Sequence, residues 1–146
     1  MLAPTPPYDF DRTAAYATYS RSRYGVDVFE NGTYCRLLEL DQRPVLVSVR
    51  SEGEIDLPRL VVEVRGEDLD TGTMAQARDR VAWLLGIDQN LGAFYRMART
   101  DTHLAPLVDS LWGLHIPHTD SVFEALVLAI LGQQINTQVA HLPRTL

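Results

Sequence analysis

Asn31-Gly32 separates two runs that each read as a β-strand, YGVDVFE before it and TYCRLLEL after it. The dipeptide accepts positive φ at both central positions of a two-residue turn, so the flanking runs should pair antiparallel. The turn also sets the register. Glu30 stands opposite Thr33, Val28 opposite Cys35 and Val26 opposite Leu37, which reads as one apolar face. Asp27 falls opposite Arg36 on the other face, a favourable cross-strand charge pair. On a solvated surface such a pair carries little energetic weight. RPVLVSVRSEG gives a third strand with Val45, Val47 and Val49 on one side, and DLPRLVVEVRG a fourth with Leu60, Val62 and Val64 inward and Glu63 and Arg65 outward. Closely spaced strands of this kind predict an antiparallel sheet that needs cover on one face. The segment Asp9–Ser22 reads as a helix on Ala14, Ala15 and Ala17 and can supply that cover, with its tyrosines packing on the sheet.

Beyond about residue 70 the period changes. TMAQARDRVAWLLG opens on a Thr-x-x-Gln capping box, Thr73 and Gln76, and closes at Gly86. Its apolar positions Ala77, Val81, Leu84 and Leu85 have helical spacing. NLGAFYRMAR and THLAPLVDSLW read as two shorter helices, and GLHIPHTD as a loop. Ser121 and Glu124 form another capping box and start a last helix. The fold class is therefore α+β: a four-stranded antiparallel sheet with a helix over residues 1–70, then helices alone over 71–146.

Composition narrows the function. The chain has 146 residues, 46% of them hydrophobic and 22% charged, and a net charge of −6; every basic residue is arginine. Duplex binding displaces counterions with basic side chains, so an acidic chain is not a general electrostatic binder of nucleic acid. Cys35 is the lone cysteine, which excludes an internal disulfide and a cysteine-rich zinc cluster. MLAPTPPYDFDR has neither the basic nor the apolar region of a secretory signal, and no apolar run is long enough to span a bilayer. A reducing, cytoplasmic setting is expected, which gives little weight to the glycosylation sequon at Asn31–Thr33.

The last helix is unusual. In SVFEALVLAILGQQ the residues Val122, Phe123, Leu126, Val127, Leu128, Ile130 and Leu131 go almost all the way round. A helix apolar on every side is expected to be buried among other helices. The helices before it are too short to wrap it. It ends in uncharged amides, Gln133 and Gln134, followed by INTQVA.

SVFEALVLAILGQQINTQVA resembles the first core helix and following turn of the helix-hairpin-helix DNA glycosylases, most closely the DNA-3-methyladenine glycosylase II (AlkA-type) branch. PPYDFDRTAAYATYSRS and the later Y.RLLEL resemble that family's N-terminal domain, a curved sheet similar to half of a TATA-binding-protein fold. MAQARDRVAWLLGIDQNLGAFYRMARTD resembles its linker helices. The resemblance implies hydrolysis of the N-glycosidic bond of alkylated bases flipped out of duplex DNA, with no metal or organic cofactor. It assigns Gln133 to the minor groove and Gln134 to the gap left by the flipped base. An uncharged amide suits this, since it donates and accepts to base edges and brings no charge to desolvate. Wedges are usually apolar, and Gln134 departs from that pattern.

The family's Pro-Gly-x-Gly hairpin does not occur in these residues, and its catalytic aspartate lies beyond the hairpin. Asp101, Asp109 and Asp120 precede the core helix and match nothing catalytic. The reading is of an N-terminal portion, inactive and weak on DNA by itself, that ends before the hairpin. The alternative is a stand-alone binding or interaction module, with the last helix pairing with a partner or a second copy. Read without the family, Gln133 and Gln134 are a helix end facing solvent. His115 and His118 make a polar loop rather than a metal site, for want of further ligands. Trp83 and Trp112 read as core residues.

Overall fold

The computed structural model describes residues 1–19 and 27–134, with side chains up to residue 130. Four strands, β1 (Asp27–Glu30), β2 (Thr33–Leu40), β3 (Arg43–Ser51) and β4 (Leu60–Arg65), form one antiparallel sheet in the order β1-β2-β3-β4. Among the described residues there are five helices: α1 (Phe10–Thr18), α2 (Thr71–Leu84), α3 (Gly92–Ala98), α4 (Leu104–Ser110) and α5 (Val122–Gln134). The α+β reading holds. The expected helix at residues 9–22 is shorter where it is described, with Asp9 as its N-cap accepting from the Arg12 amide.

The Asn31-Gly32 hairpin has the register read from the sequence: Glu30 faces Thr33, Val28 faces Cys35 and Asp27 faces Arg36. Both turn residues have positive φ, +50° and +71°. The expected Val26–Leu37 pairing lies outside the described residues. The assignment of faces is inverted. Val28 and Leu37 point outward, 46% and 59% exposed, while Asp27 and Arg36 are buried at 2% and 5%. The reason lies in the next hairpin. Val45, Val47 and Val49 face inward as expected, and β3 sets them opposite Leu38, Arg36 and Tyr34. Cross-strand partners share a face, so the inward valines carry Arg36 in with them.

The core lies on that one face, where α1 contributes Phe10 and Ala14 and α2 contributes Ala77, Val81 and Leu84. It therefore runs across the connection at residue 70. The N-terminus closes one edge of the sheet, with Leu2 and Leu60 exchanging backbone hydrogen bonds of 2.9 Å each. A second small cluster joins α3 and α4 through Tyr95, Ala98 and Val108, with Trp112 against it.

Helix details depart from expectation where one polar contact outweighs the pattern. α2 is capped by Asp70, three residues before the Thr73 cap of the expected box, because the Asp70 carboxylate accepts from the Thr73 amide at 2.7 Å and its hydroxyl at 2.9 Å. Those two bonds hold the Asp70 carboxyl below its usual range, the backbone one most. Gln76 instead donates to Asp41 in the β2–β3 turn. Trp83 is not core: the buried stripe Thr73, Ala77, Val81, Leu84 leaves it on the outer side, 55% exposed. Tyr16 and Tyr19 are exposed too, because α1 buries Phe10, Thr13, Ala14 and Thr18 instead. Gly86 ends α2 at φ +59°, where a Cβ would lie 2.7 Å from the Ile116 carbonyl oxygen.

The face assignment makes opposite demands on neighbouring leucines. Leu38→Ala should cost about 2–5 kcal/mol in urea denaturation, as a buried truncation does. Leu37→Ser should stay within about 0.5 kcal/mol. A larger loss at Leu37 than at Leu38 would restore the face read from the sequence.

Candidate nucleic-acid interface

The candidate interface is α5, so its foundation matters first. Ser121 caps the helix, its Oγ accepting from the Glu124 amide at 3.1 Å. Glu124 reaches back and accepts from the Asp120 amide at 2.8 Å, a capping box shifted by one residue from the expected Ser121–Glu124 form. The loop before it is tied to α2. His118 N donates to Leu84 O at 3.0 Å, Trp83 Nε1 to Thr119 O at 2.9 Å, and Arg80 Nη1 to Asp120 O at 2.8 Å. Arg80 also meets the Asp120 carboxylate at 3.2 Å.

Beneath this root lies the inward charge cluster. Arg36 Nη1 donates to Asp27 Oδ1 at 2.7 Å and Nη2 to Glu124 Oε2 at 3.2 Å. Tyr34 donates its hydroxyl to Asp27 Oδ1 at 3.1 Å. Burial alone would lower the Arg36 pKa, but the charges of Asp27 and Glu124 outweigh it and raise it. Burial, then the neighbouring Asp27 charge, push the Tyr34 phenol well above its ordinary range, and burial does the same to Tyr8. The sequence pointed to Asp27 and Arg36 only as a surface pair, and to Glu124 only as a cap. The structure brings all three together, across strand and helix.

Past its root α5 is open. Val122, Phe123, Leu126 and Ile130 are exposed, so the helix expected to be buried centrally is not covered by the described residues. An open groove of about 920 Å³ runs between its first turns and α2, lined by Leu40, Arg80, Trp83, Val122 and Leu126 among others. Its charges are mixed, since Asp79 and Asp120 share it with Arg80. Gln133 and Gln134 occupy the last turn of α5, and their side chains lie outside the described residues. The succeeding INTQVA is also outside them.

The histidines are placed differently from each other. His118 stays in the loop against the Trp83 ring, with centroids 4.2 Å apart. His115 lies in the expected loop but is fully buried, its ring nitrogens 2.7 Å from Gly86 O and 3.0 Å from Pro7 O, with Tyr8 edge-on. It staples the N-terminal segment to the end of α2. Among the described residues no group of three or more His, Cys, Asp or Glu is arranged to hold a metal ion. Nor is any described helix long and apolar enough to cross a membrane.

The frame is a four-stranded antiparallel sheet covered on one face by α1 and α2. The family model of the AlkA N-terminal domain matches residues 1–121, and the chain belongs to that family. Among solved structures it is similar to a 3-methyladenine DNA-glycosylase from Archaeoglobus fulgidus, with a TM-score of 0.75 and 24% identity. The match covers 96% of this chain and 46% of that one, so the chain spans about half the length of its structural neighbour. Among curated proteins none matches it in sequence.

Tyr8 and Tyr34 set an alkaline limit. They stay neutral in the folded chain at pH values where they ionise once unfolded, so the stability they contribute is full below about pH 10 and lost as pH rises above it. Each should steepen that loss by up to about 1.4 kcal/mol per pH unit. Melting curves from pH 7 to pH 11 check this: Tyr34→Phe lowers overall stability, through its lost bond to Asp27, yet flattens the alkaline decline. An unaltered slope in Tyr34→Phe and Tyr8→Phe would show that neither phenol is responsible.

Proposed function

We propose that the chain is the N-terminal portion of a DNA-3-methyladenine glycosylase, an enzyme that hydrolyses the N-glycosidic bond of alkylated bases. The observation that carries this reading is the family match over residues 1–121, joined to a fold shared with half of a glycosylase. In it, residues 1–70 form the sheet domain and 71–146 begin the helical domain. Duplex DNA is the partner; at the end of α5, Gln133 enters the minor groove near the flipped base and Gln134 helps wedge the gap it leaves. The chemistry stabilises an oxocarbenium-like centre with a carboxylate and needs no metal or cofactor. A cytoplasmic setting fits it.

The described buried carboxylates, Asp27 and Glu124, are both committed to Arg36 rather than open to the groove. The 146-residue chain should therefore release no 3-methyladenine from alkylated DNA above a no-enzyme control, and bind duplex weakly at its net charge of −6. Measurable excision by the purified chain would overturn the inactivity, and tight, salt-sensitive binding would overturn the judgement of its surface. The coding sequence of the whole protein is the direct test of origin: a helix-hairpin-helix followed by an aspartate supports the glycosylase, and their absence removes it.

A second reading, an interaction module, is favoured by the exposed apolar face of α5, because contiguous apolar surface invites association. It expects a dimer in sedimentation equilibrium that Leu126→Asp dissociates. A stable monomer without added partner counts against it.

A further inference from the structure

Along α5 the inside–outside rule is reversed. Between Val122 and Ile130 the one buried side chain is Glu124, while Val122 and Phe123 are each 77% exposed. A helix held by an apolar stripe takes its angle from the interdigitation of side chains. With Val122, Phe123, Leu126 and Ile130 open and Ala125, Val127 and Leu128 only partly buried, polar contacts at its root are left to set the angle of α5. His118, Thr119 and Asp120 fasten the preceding loop to α2. Among the described residues, the bond from Arg36 to Glu124 ties a side chain of the helix itself to the sheet.

We propose that Arg36 is a positioning residue: its guanidinium clamps Asp27 of β1 and Glu124 of α5 and so sets the direction in which α5 leaves the sheet. A guanidinium suits the role because its nitrogens lie in one rigid plane, so two carboxylates bound to it are fixed relative to each other. A buried ion cluster is a poor source of net stability, since desolvation offsets attraction, but it does specify geometry. The consequence for DNA rests on the proposed glycosylase reading; the clamp itself rests on the contacts. From Glu124 to Gln133 the helix runs about 14 Å, so a 20° tilt at the root would carry the tip roughly 5 Å.

The test uses the 146-residue chain. Arg36→Met would leave Asp27 buried without its cation and threatens the fold, so two milder changes are chosen. Glu124→Gln keeps shape and removes charge. Arg36→Lys keeps the charge beside Asp27, but one ammonium cannot span both carboxylates. Hydrogen exchange by mass spectrometry should show residues 122–130 exchanging at least about tenfold faster in both variants, with β2 and β3 within about twofold of the parent. Three outcomes overturn the clamp: unchanged exchange in α5, equal loss of protection in the sheet, or residues 122–130 unprotected in the parent. A second measurement separates the clamp from the DNA reading, namely fluorescence anisotropy at low salt on a labelled duplex with one abasic site. Weaker binding in both variants and in Gln133→Ala supports the two together. A loosened α5 with unchanged affinity keeps the clamp and discards the DNA role of the tip.

Discussion

A guanidinium buried between two carboxylates, one from each end of the chain, fixes how this sheet and its last helix fit together. Arg36 cannot face inward without a counter-charge, because an unpaired buried cation costs far more than any nearby valine contact returns. Asp27 supplies that charge from the adjacent strand and Glu124 from a helix nearly ninety positions further on. The sheet thereby gains a polar inner corner at β1, its edge strand. Inward charge at an edge also discourages a second chain from pairing there, since a foreign strand would have to leave that charge unmatched. Among the described residues Arg36 Nε is buried without a hydrogen-bond partner, consistent with a device kept for geometry more than for stability.

The hairpin was legible in Asn31-Gly32, and its register followed residue for residue. Its faces were not, because β1 and β2 alone offer two readings: Val28, Cys35 and Leu37 on one side, and Asp27, Tyr34 and Arg36 on the other. Hydrophobicity favours the first. The deciding information lay one hairpin further, where Asp41-Gln42 turns with φ of +49° and +63° though neither residue is glycine. A turn without the usual residue gives no register in the sequence, so the three inward valines of β3 could not be set against β2. Had they been, Arg36 would have been forced inward, and a search for its partners would have begun.

The same limit explains the aromatic residues. Trp83 and Tyr16 are large and apolar, and bulk alone suggests burial. Each lies off the stripe its helix buries, and Trp83 has a donor that reaches a carbonyl at Thr119 without leaving solvent. His115 went the other way, because two carbonyl oxygens and a threonine hydroxyl, from segments distant in sequence, give it a polar seat in the interior. Contacts between residues 29 to 108 positions apart leave no trace in local pattern. The start of α5 was legible in Ser121 and Glu124, yet the pairing of Glu124 with Arg36 was hidden for the same reason.

The exposed apolar face of α5 is common to both functional readings, since a glycosylase core and a partner protein would each cover it. What separates them is the demand on angle. A helix that docks adaptably on a partner gains from freedom at its root, because the complex can then settle into its best packing. A helix whose tip must arrive in a groove about 6 Å wide beside a flipped base needs its direction set beforehand. A buried ion cluster at the root, with one guanidinium bridging two carboxylates, is costly and confers direction. It therefore serves the second demand and works against the first, and the charge under α5 argues for the DNA-facing reading where its apolar face is neutral between the two.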